Sequence, residues 1–400
     1  MRIFKNQISL TLIAAIVFIH FTPVSILGFP LTLAPFAILV FLLTHFKLSI
    51  HRNVLYLFIL LIFAPIIIYI VFIVLGGWSE PLEFMTTYLL WIYAVFGMML
   101  SLFSKPRIIS DHSKDFITAL LIVVLFSVAQ VLFVKLFSSA LLYQPFGDFS
   151  YMGGGGLISE NLVRAPGLFL EPSFNAFIMF FLASVIVMKN PRIKGNILIL
   201  VLSGIGVLVT TSIIGVVSIL GLIFFLSLNL IVKKNKVLFY VFILLSIAVL
   251  ITLNDFLFTL DRFNEINTEG TSGYWRLIAP LIITSEVLFQ YPLGVPFGHM
   301  QDFIIPLGIL HGGSVGSTLD NGMYVLLFYF GWLGVYFVLW MFYMFVKEIY
   351  HRNIRGMVFW WFVIFSLQFS GGIFLPEYMF FLLLVIYQYR NVARFELYKT

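Results

Sequence analysis

Two arginines set the chemical question in this 400-residue chain. Arg164 lies in NLVRAPGLFLEPSFNAF and Arg276 in TSGYWRLIAPLIITSEVLFQYPLG, within two stretches that interrupt an otherwise apolar sequence. A guanidinium presents its N–H groups as a planar fork that grips two oxygens of a phosphate or diphosphate at once, which lysine cannot do. Thr271 or Ser272 is placed to cap a helix running to about Gln290, which puts Arg276 near its first turn. The macrodipole disfavours a cation there. The placement makes sense where an anion shares the site, because free helix N–H groups and a guanidinium together form a phosphate cradle. The simpler alternatives are a snorkelling interfacial arginine at 276 and an Arg164–Glu171 ion pair that fixes its loop. A base beside such a cradle can take a proton from an attacking hydroxyl. Asp320, next to Asn321 in STLDNG, is the first candidate, although it is equally suited to capping the helix that follows. His299 and His311 are alternatives on glycine-rich turns, where a histidine is commonly just solvated. Glu171 is the last candidate.

The elements that must hold these residues are membrane helices. Hydrophobic residues make up 62% of the chain and charged residues 10%, against about 25% charge in soluble domains. The chain has no cysteine, which excludes disulfides, thiolate metal sites, iron–sulfur clusters and thiol nucleophiles. The seven histidines are scattered without ligand spacing, so neither a metal nor a cofactor is expected. Apolar windows of about 20 residues give an all-α polytopic protein of about 12 spans. They fall near 7–27, 29–46, 54–76, 84–103, 116–137, 173–188, 196–211, 213–232, 237–254, 321–346, 356–371 and 375–389. The first is taken as an uncleaved helix, because no small-residue cleavage site follows MRIFKNQ. Ser173 is the expected cap of the sixth span, and the 271–290 helix, with Glu286 in it, is expected to lie at the interface. Tyr274 and Trp275 suit the headgroup level there. The whole chain, 1–400, reads as one membrane domain with two large loops, about 138–172 and 255–320.

The charges test that count. If the N-terminus lies inside, 19 of the 23 lysines and arginines fall in inner segments, leaving Lys135, Arg164, Arg262 and Arg276 outside. The acids are biased the other way, with 13 of 17 outside. Such alternation fixes both termini in the cytoplasm and both large loops on the outer face. The net charge of +6 is therefore topology information, and no nucleic-acid partner is expected. Polar groups within spans are few, Gln130 and Gln368 among them, and no chain of buried acids crosses the bilayer.

Four motifs in order carry a resemblance: Arg164 with LFLEP at 168–172, TEGTSGYWRLIAPL at 268–281, LDNGMYVLLFYFGW at 319–332 and GGIFLPEYMFFLL at 371–383. In these the chain resembles the Wzy-type polysaccharide polymerases, O-antigen and colanic acid polymerases among them, of the O-antigen polymerase/ligase superfamily. The resemblance implies a glycosyltransferase of the bacterial inner membrane that joins undecaprenyl-diphosphate-linked oligosaccharide repeats. It implies Arg164 and Arg276 as holders of the lipid diphosphate; the loop aromatics Tyr143, Tyr151, Tyr274, Trp275 and Tyr291 could then stack on sugar faces, although interfacial anchoring explains most of them equally well. Membrane lipid, a chain-length regulator and a flippase are the partners it brings with it. Related ligases often carry a histidine where this chain has Asp320, which favours polymerase over ligase. A lipid-linked glycan transporter is the rival from another class, but carriers tend to show repeated halves and mid-membrane sites.

Overall fold

A computed structural model describes residues 2–22, 24–26, 29–47, 52–76, 81–103, 105–106, 112–137, 142, 164–169, 171–232, 267–311 and 314–397. The expected span 237–254, Arg262 and the loop tyrosines Tyr143 and Tyr151 lie outside them. The helices in chain order are α1 (Arg2–Val17), α2 (Ala34–His45), α3 (Arg52–Gly76), α4 (Pro81–Phe103), α5 (Ser113–Phe137), α6 (Pro172–Lys189), α7 (Ile193–Thr210) and α8 (Ile213–Val232). After the gap come α9 (Ser272–Gln290), α10 (Met300–Ile304), α11 (Gly322–Tyr350), α12 (Ile354–Ser366) and α13 (Pro376–Leu397). Three two-stranded pairs of two or three residues per strand are the only sheet among the described residues.

The expected spans and the observed helices coincide closely, with departures that follow local chemistry. The span expected at 7–27 ends as a helix at Val17, and Val24–Ile26 pairs with Phe29–Leu31 instead. Pro30 sits within the second of these strands, opposite Ser25, and the residue before a proline is pushed out of the helical region. The helix expected to 371 stops at Ser366, short of Gly371 and Gly372. At α6 the expected cap Ser173 is displaced. Glu171 takes the cap position and Pro172 the first turn, where its missing N–H is no loss.

Helix α6 is the axis. It packs against α5, α7, α8, α12 and α13, and every residue from Pro172 to Met188 is buried. A helix apolar on all sides belongs in the middle of a bundle. The periphery shows the reverse: α3 exposes Ile59, Leu60, Phe63, Ile67, Ile70 and Val74, a continuous apolar face far larger than water tolerates. Four described helices are long and apolar enough to cross a bilayer, and several shorter apolar helices accompany them. This is a multi-pass membrane protein.

Contacts sort the helix ends into two sets. At one end Phe46–Lys47 pairs with Lys105–Pro106, Arg355 donates to Met188 O at 3.1 Å, and Arg390 donates to Ser101 O. The other end gathers Glu171, Arg276, Asn321, Gln368 and Glu377.

Two prolines inside helices show how the bundle keeps its backbone satisfied. A proline removes the N–H that would bond the carbonyl four residues earlier, and lipid offers no substitute donor. In α3, Pro65 releases Leu61 O, which receives Trp91 Nε1 from α4 at 2.8 Å. Tyr88 Oη donates to the next carbonyl, Ile62 O, at 3.1 Å.

Helix α11 is 29 residues long, about 43 Å at 1.5 Å per residue, against a hydrocarbon thickness of about 30 Å. It is broken at Gly331, whose φ is 55°. Into the break fits the segment after α9: Val295 N donates to Phe328 O at 3.1 Å, and Trp332 N donates to Pro292 O at 3.0 Å. A Cβ on Gly331 would sit 2.2 Å from Pro292 O, so both the conformation and the close approach require glycine. The break matches the point where surplus length begins, and α9 packs along that upper part.

Candidate functional site

Arg276 stands where three helix N-termini meet. Its own helix α9 is capped by Thr271, whose Oγ1 accepts from Tyr274 N at 3.3 Å. Its Nη2 reaches the start of α6, donating to Glu171 Oε1 at 3.3 Å and to Ser173 Oγ at 3.1 Å. Ser173 in turn donates to Glu171 Oε1. The third N-terminus is that of α11, joined through Asn321. Aligned backbone N–H groups at such ends favour negative charge, and Glu171 supplies it here. The Arg276 side chain is 17% exposed and that of Glu171 46%, so the pair opens outward through its carboxylate. Arg276 Nε is buried with no hydrogen-bond partner among the described residues.

Pro280 and Asn321 explain how Arg276 is held. Pro280 lies inside α9, four residues after Arg276, and so releases the Arg276 carbonyl. Asn321 Nδ2 donates to that oxygen at 3.0 Å and to Gln368 Oε1 at 2.6 Å. The same side chain caps α11, its Oδ1 accepting from Met323 N at 3.1 Å. One fully buried amide thus ties α9, α11 and the end of α12 together around the guanidinium. The cap expected at Asp320 falls one residue later, on Asn321. Asp320 is left half-buried beside it, its backbone against Gly371.

Arg164 is fixed by a second network on the same side of α6. Its Nε donates to Thr211 Oγ1 at 3.0 Å. Thr211 is the C-cap of α7 in the left-handed conformation, φ 56°, an uncommon state for a non-glycine residue. The loop behind Arg164 is clamped from three helices. Ala165 N donates to Val209 O of α7 at 3.1 Å. Gln130 of α5 bonds both peptide groups of Gly167, N to Oε1 at 2.9 Å and Nε2 to O at 2.8 Å. Asn175 of α6 donates to Ala165 O and Ser127 Oγ. Gly167 has φ +67°, and a Cβ there would lie 2.7 Å from Asn175 Nδ2.

The segment 164–173 therefore brings Arg164 and Arg276 to its two ends. The expected alternative for Arg164, an ion pair with Glu171, is corrected: Glu171 pairs with Arg276. Trp275 is corrected as well. It is fully buried, donates to Thr318 O at 3.1 Å, and fills the space that Gly316 leaves. No face remains for a sugar. Tyr274 stays half-buried next to it. His299 is also buried, at 1% exposure, with Nδ1 3.0 Å from Asp302 Oδ2 and its ring stacked on Tyr69 of α3. It belongs to that side of the bundle. His311 lies in the short hairpin paired with Ser314, which Glu269 ties down through Leu310 N at 3.3 Å.

Sequence reading missed Thr211 and Ser173 as partners of the arginines, and Gln130, Asn175 and Asn321 as the groups that hold the backbone around them. The available signals were a glutamine alone in an apolar span and a proline four residues after Arg276.

Residues 7–391 match the family model described as WcaD colanic acid polymerase. A stretch of 124 residues is 36% identical to an Escherichia coli (strain K12) protein named "Putative colanic acid polymerase", covering 30% of this chain and 30% of that relative's length. Since the family match runs from the first described helix to the last, the chain belongs to the WcaD colanic acid polymerase family.

Proposed function

We propose that the protein is a polysaccharide polymerase of the bacterial inner membrane, with about 12 spans, both termini in the cytoplasm and the Arg276 site on the outer face. Its substrates are oligosaccharide repeats carried on undecaprenyl diphosphate. The observation that carries this reading is the convergence of the α6, α9 and α11 N-termini on a locked arginine whose counter-ion, Glu171, is partly open to solvent. Family membership supports the polymerase class, and the charge alternation supports the sidedness.

The growing chain, linked to its lipid diphosphate, is the donor. A hydroxyl of the incoming lipid-linked repeat attacks the anomeric carbon, and the carbon–oxygen bond to the diphosphate breaks. The leaving diphosphate takes the electron pair, and the hydroxyl proton passes to a carboxylate. Arg276 and Arg164 stabilise the charge that develops on the leaving group, so the reaction is assigned to arginine and helix ends, without a metal. Direct displacement inverts the anomeric configuration. Asp320, half-buried at the start of α11, is the base assigned first, and Glu171, freed when diphosphate takes its place on Arg276, is the second.

The test is a gel of glycan length from cells that carry Arg276→Ala or Arg164→Ala at normal protein level. Single repeats without a ladder are expected. An unchanged ladder from both variants overturns the anion role, and full-length polymer left unattached to lipid A would point to a ligase.

A further inference from the structure

A groove of about 670 Å³ separates α1 from α2, within the range of pockets that bind small ligands. Its walls are Thr11, Ala14 and Ala15 on α1 and Phe18 in the turn that continues it, facing Phe36 and Ala37 on α2. These positions follow the helical i, i+3, i+4, i+7 rule, with Phe18 N still bonded to Ala14 O, and so share one face. Small residues facing each other normally let membrane helices close together. Here α1 is held by α5 and α2 by α13, and the gap stays open. The polar groups at its far end are turned inward: Thr44 Oγ1 donates to Val40 O at 2.6 Å, and His45 Nδ1 lies 3.2 Å from Phe41 O.

The groove runs from Leu33 to Thr44 along α2, about 16 Å at helical rise, roughly half the hydrocarbon thickness. Its mouth, at Phe21 and Leu33, opens toward the N-terminal end of α6, some way from the Arg276 site itself. His20 lies with its ring 4.3 Å from that of Phe174, and Phe174 follows Ser173, which receives Arg276. A lipid with its diphosphate at Arg276 must start its chain from that point.

We propose that this groove binds the polyisoprenyl chain of the lipid diphosphate substrate; the assignment rests on the polymerase reading above. Lipid tails are as apolar as the groove, so its discrimination comes from shape and from tethering to the headgroup site, and is modest.

The experiment compares two donors on the purified full-length protein in vesicles, one on an undecaprenyl diphosphate and one on a two-isoprene diphosphate too short to reach the groove. In Ala37→Trp, which fills the gap, KM for the long donor rises about three- to tenfold, equivalent to ~0.6–1.4 kcal/mol, while the short donor is unaffected. Equal loss with both donors, or no change with either, overturns the groove assignment and leaves the polymerase reading standing. No transfer by the wild-type protein from either donor overturns that reading and the groove with it. A photoreactive phenylalanine at position 37 gives the independent check. It should form adducts with undecaprenyl diphosphate that excess unlabelled undecaprenyl diphosphate suppresses. Adducts with phospholipid alone overturn the proposal.

Discussion

Replacing Asn321 tests the idea that a proline-released carbonyl is what anchors Arg276. Asn321→Ala strands three groups: Arg276 O, Gln368 Oε1 and Met323 N. Each buried polar group left unsatisfied costs about 1–3 kcal/mol, and a lost cap about 1 kcal/mol, so a total of about 3–7 kcal/mol is expected. Asn321→Asp keeps the acceptor for Met323 N but has no N–H for the other two, which isolates the bridging role from the capping role. The decisive variant is Pro280→Ala. It returns an N–H at position 280, four residues beyond Arg276, and so lets α9 satisfy its own carbonyl. In that background Asn321→Ala should be milder by about 1–2 kcal/mol, a coupling well above the ~0.5 kcal/mol scatter of independent sites. Reversible unfolding in detergent, followed by the fluorescence of the seven tryptophans, measures all four species of the cycle. The glycan ladder reads the same variants in cells, where the double mutant should outperform Asn321→Ala. Strict additivity in both assays would refute the reasoning, since Pro280 would then have no share in what Asn321 does.

Other outcomes follow from the same contacts. Arg276→Lys keeps the charge but loses the fork, and polymer output measured by gel should fall at least ~10-fold. Gln130→Leu removes both bonds to Gly167 and should destabilise the protein by about 2–4 kcal/mol in the unfolding assay, with polymer lost as Arg164 loosens. Gly331→Ala meets Pro292 O and a positive φ together. It should cost more than 2 kcal/mol, whereas Gly204→Ala, which meets nothing within 4 Å, should be neutral or stabilising. Trp91→Phe should cost about 1–3 kcal/mol by orphaning Leu61 O, and much less in a Pro65→Ala background.

Helix positions were legible because a bilayer sets span length and charge sets alternation; α8 was expected at 213–232 and is found there. Arg276 near the start of a helix capped by Thr271 was equally readable, because capping is local chemistry. What could not be read was pairing across the bundle. Glu171 is seven residues from Arg164 and 105 from Arg276, yet it is Arg276 that it meets. Trp275 looked like an interfacial anchor because its neighbours are polar, but the loop through Gly316 folds over it. Asn321 and Asp320 are indistinguishable as caps by propensity. The choice was made by Arg276 O, which needs a donor that a carboxylate lacks.

The discontinuity in α11 divides labour along a single rod. Above Gly331 the rod bonds α9 through Asn321, and the 292–295 turn bonds both sides of the break, Phe328 O above it and Trp332 N below it. Gly322 N and Asn321 Nδ2 bond Leu367 O and Gln368 Oε1 beyond α12 as well, so the short upper length of the rod is tied at both of its ends. The glycine thus serves as a fixed joint: it lets one continuous helix present two differently aimed lengths, the upper of which keeps the Arg276 guanidinium facing Glu171 on the central helix.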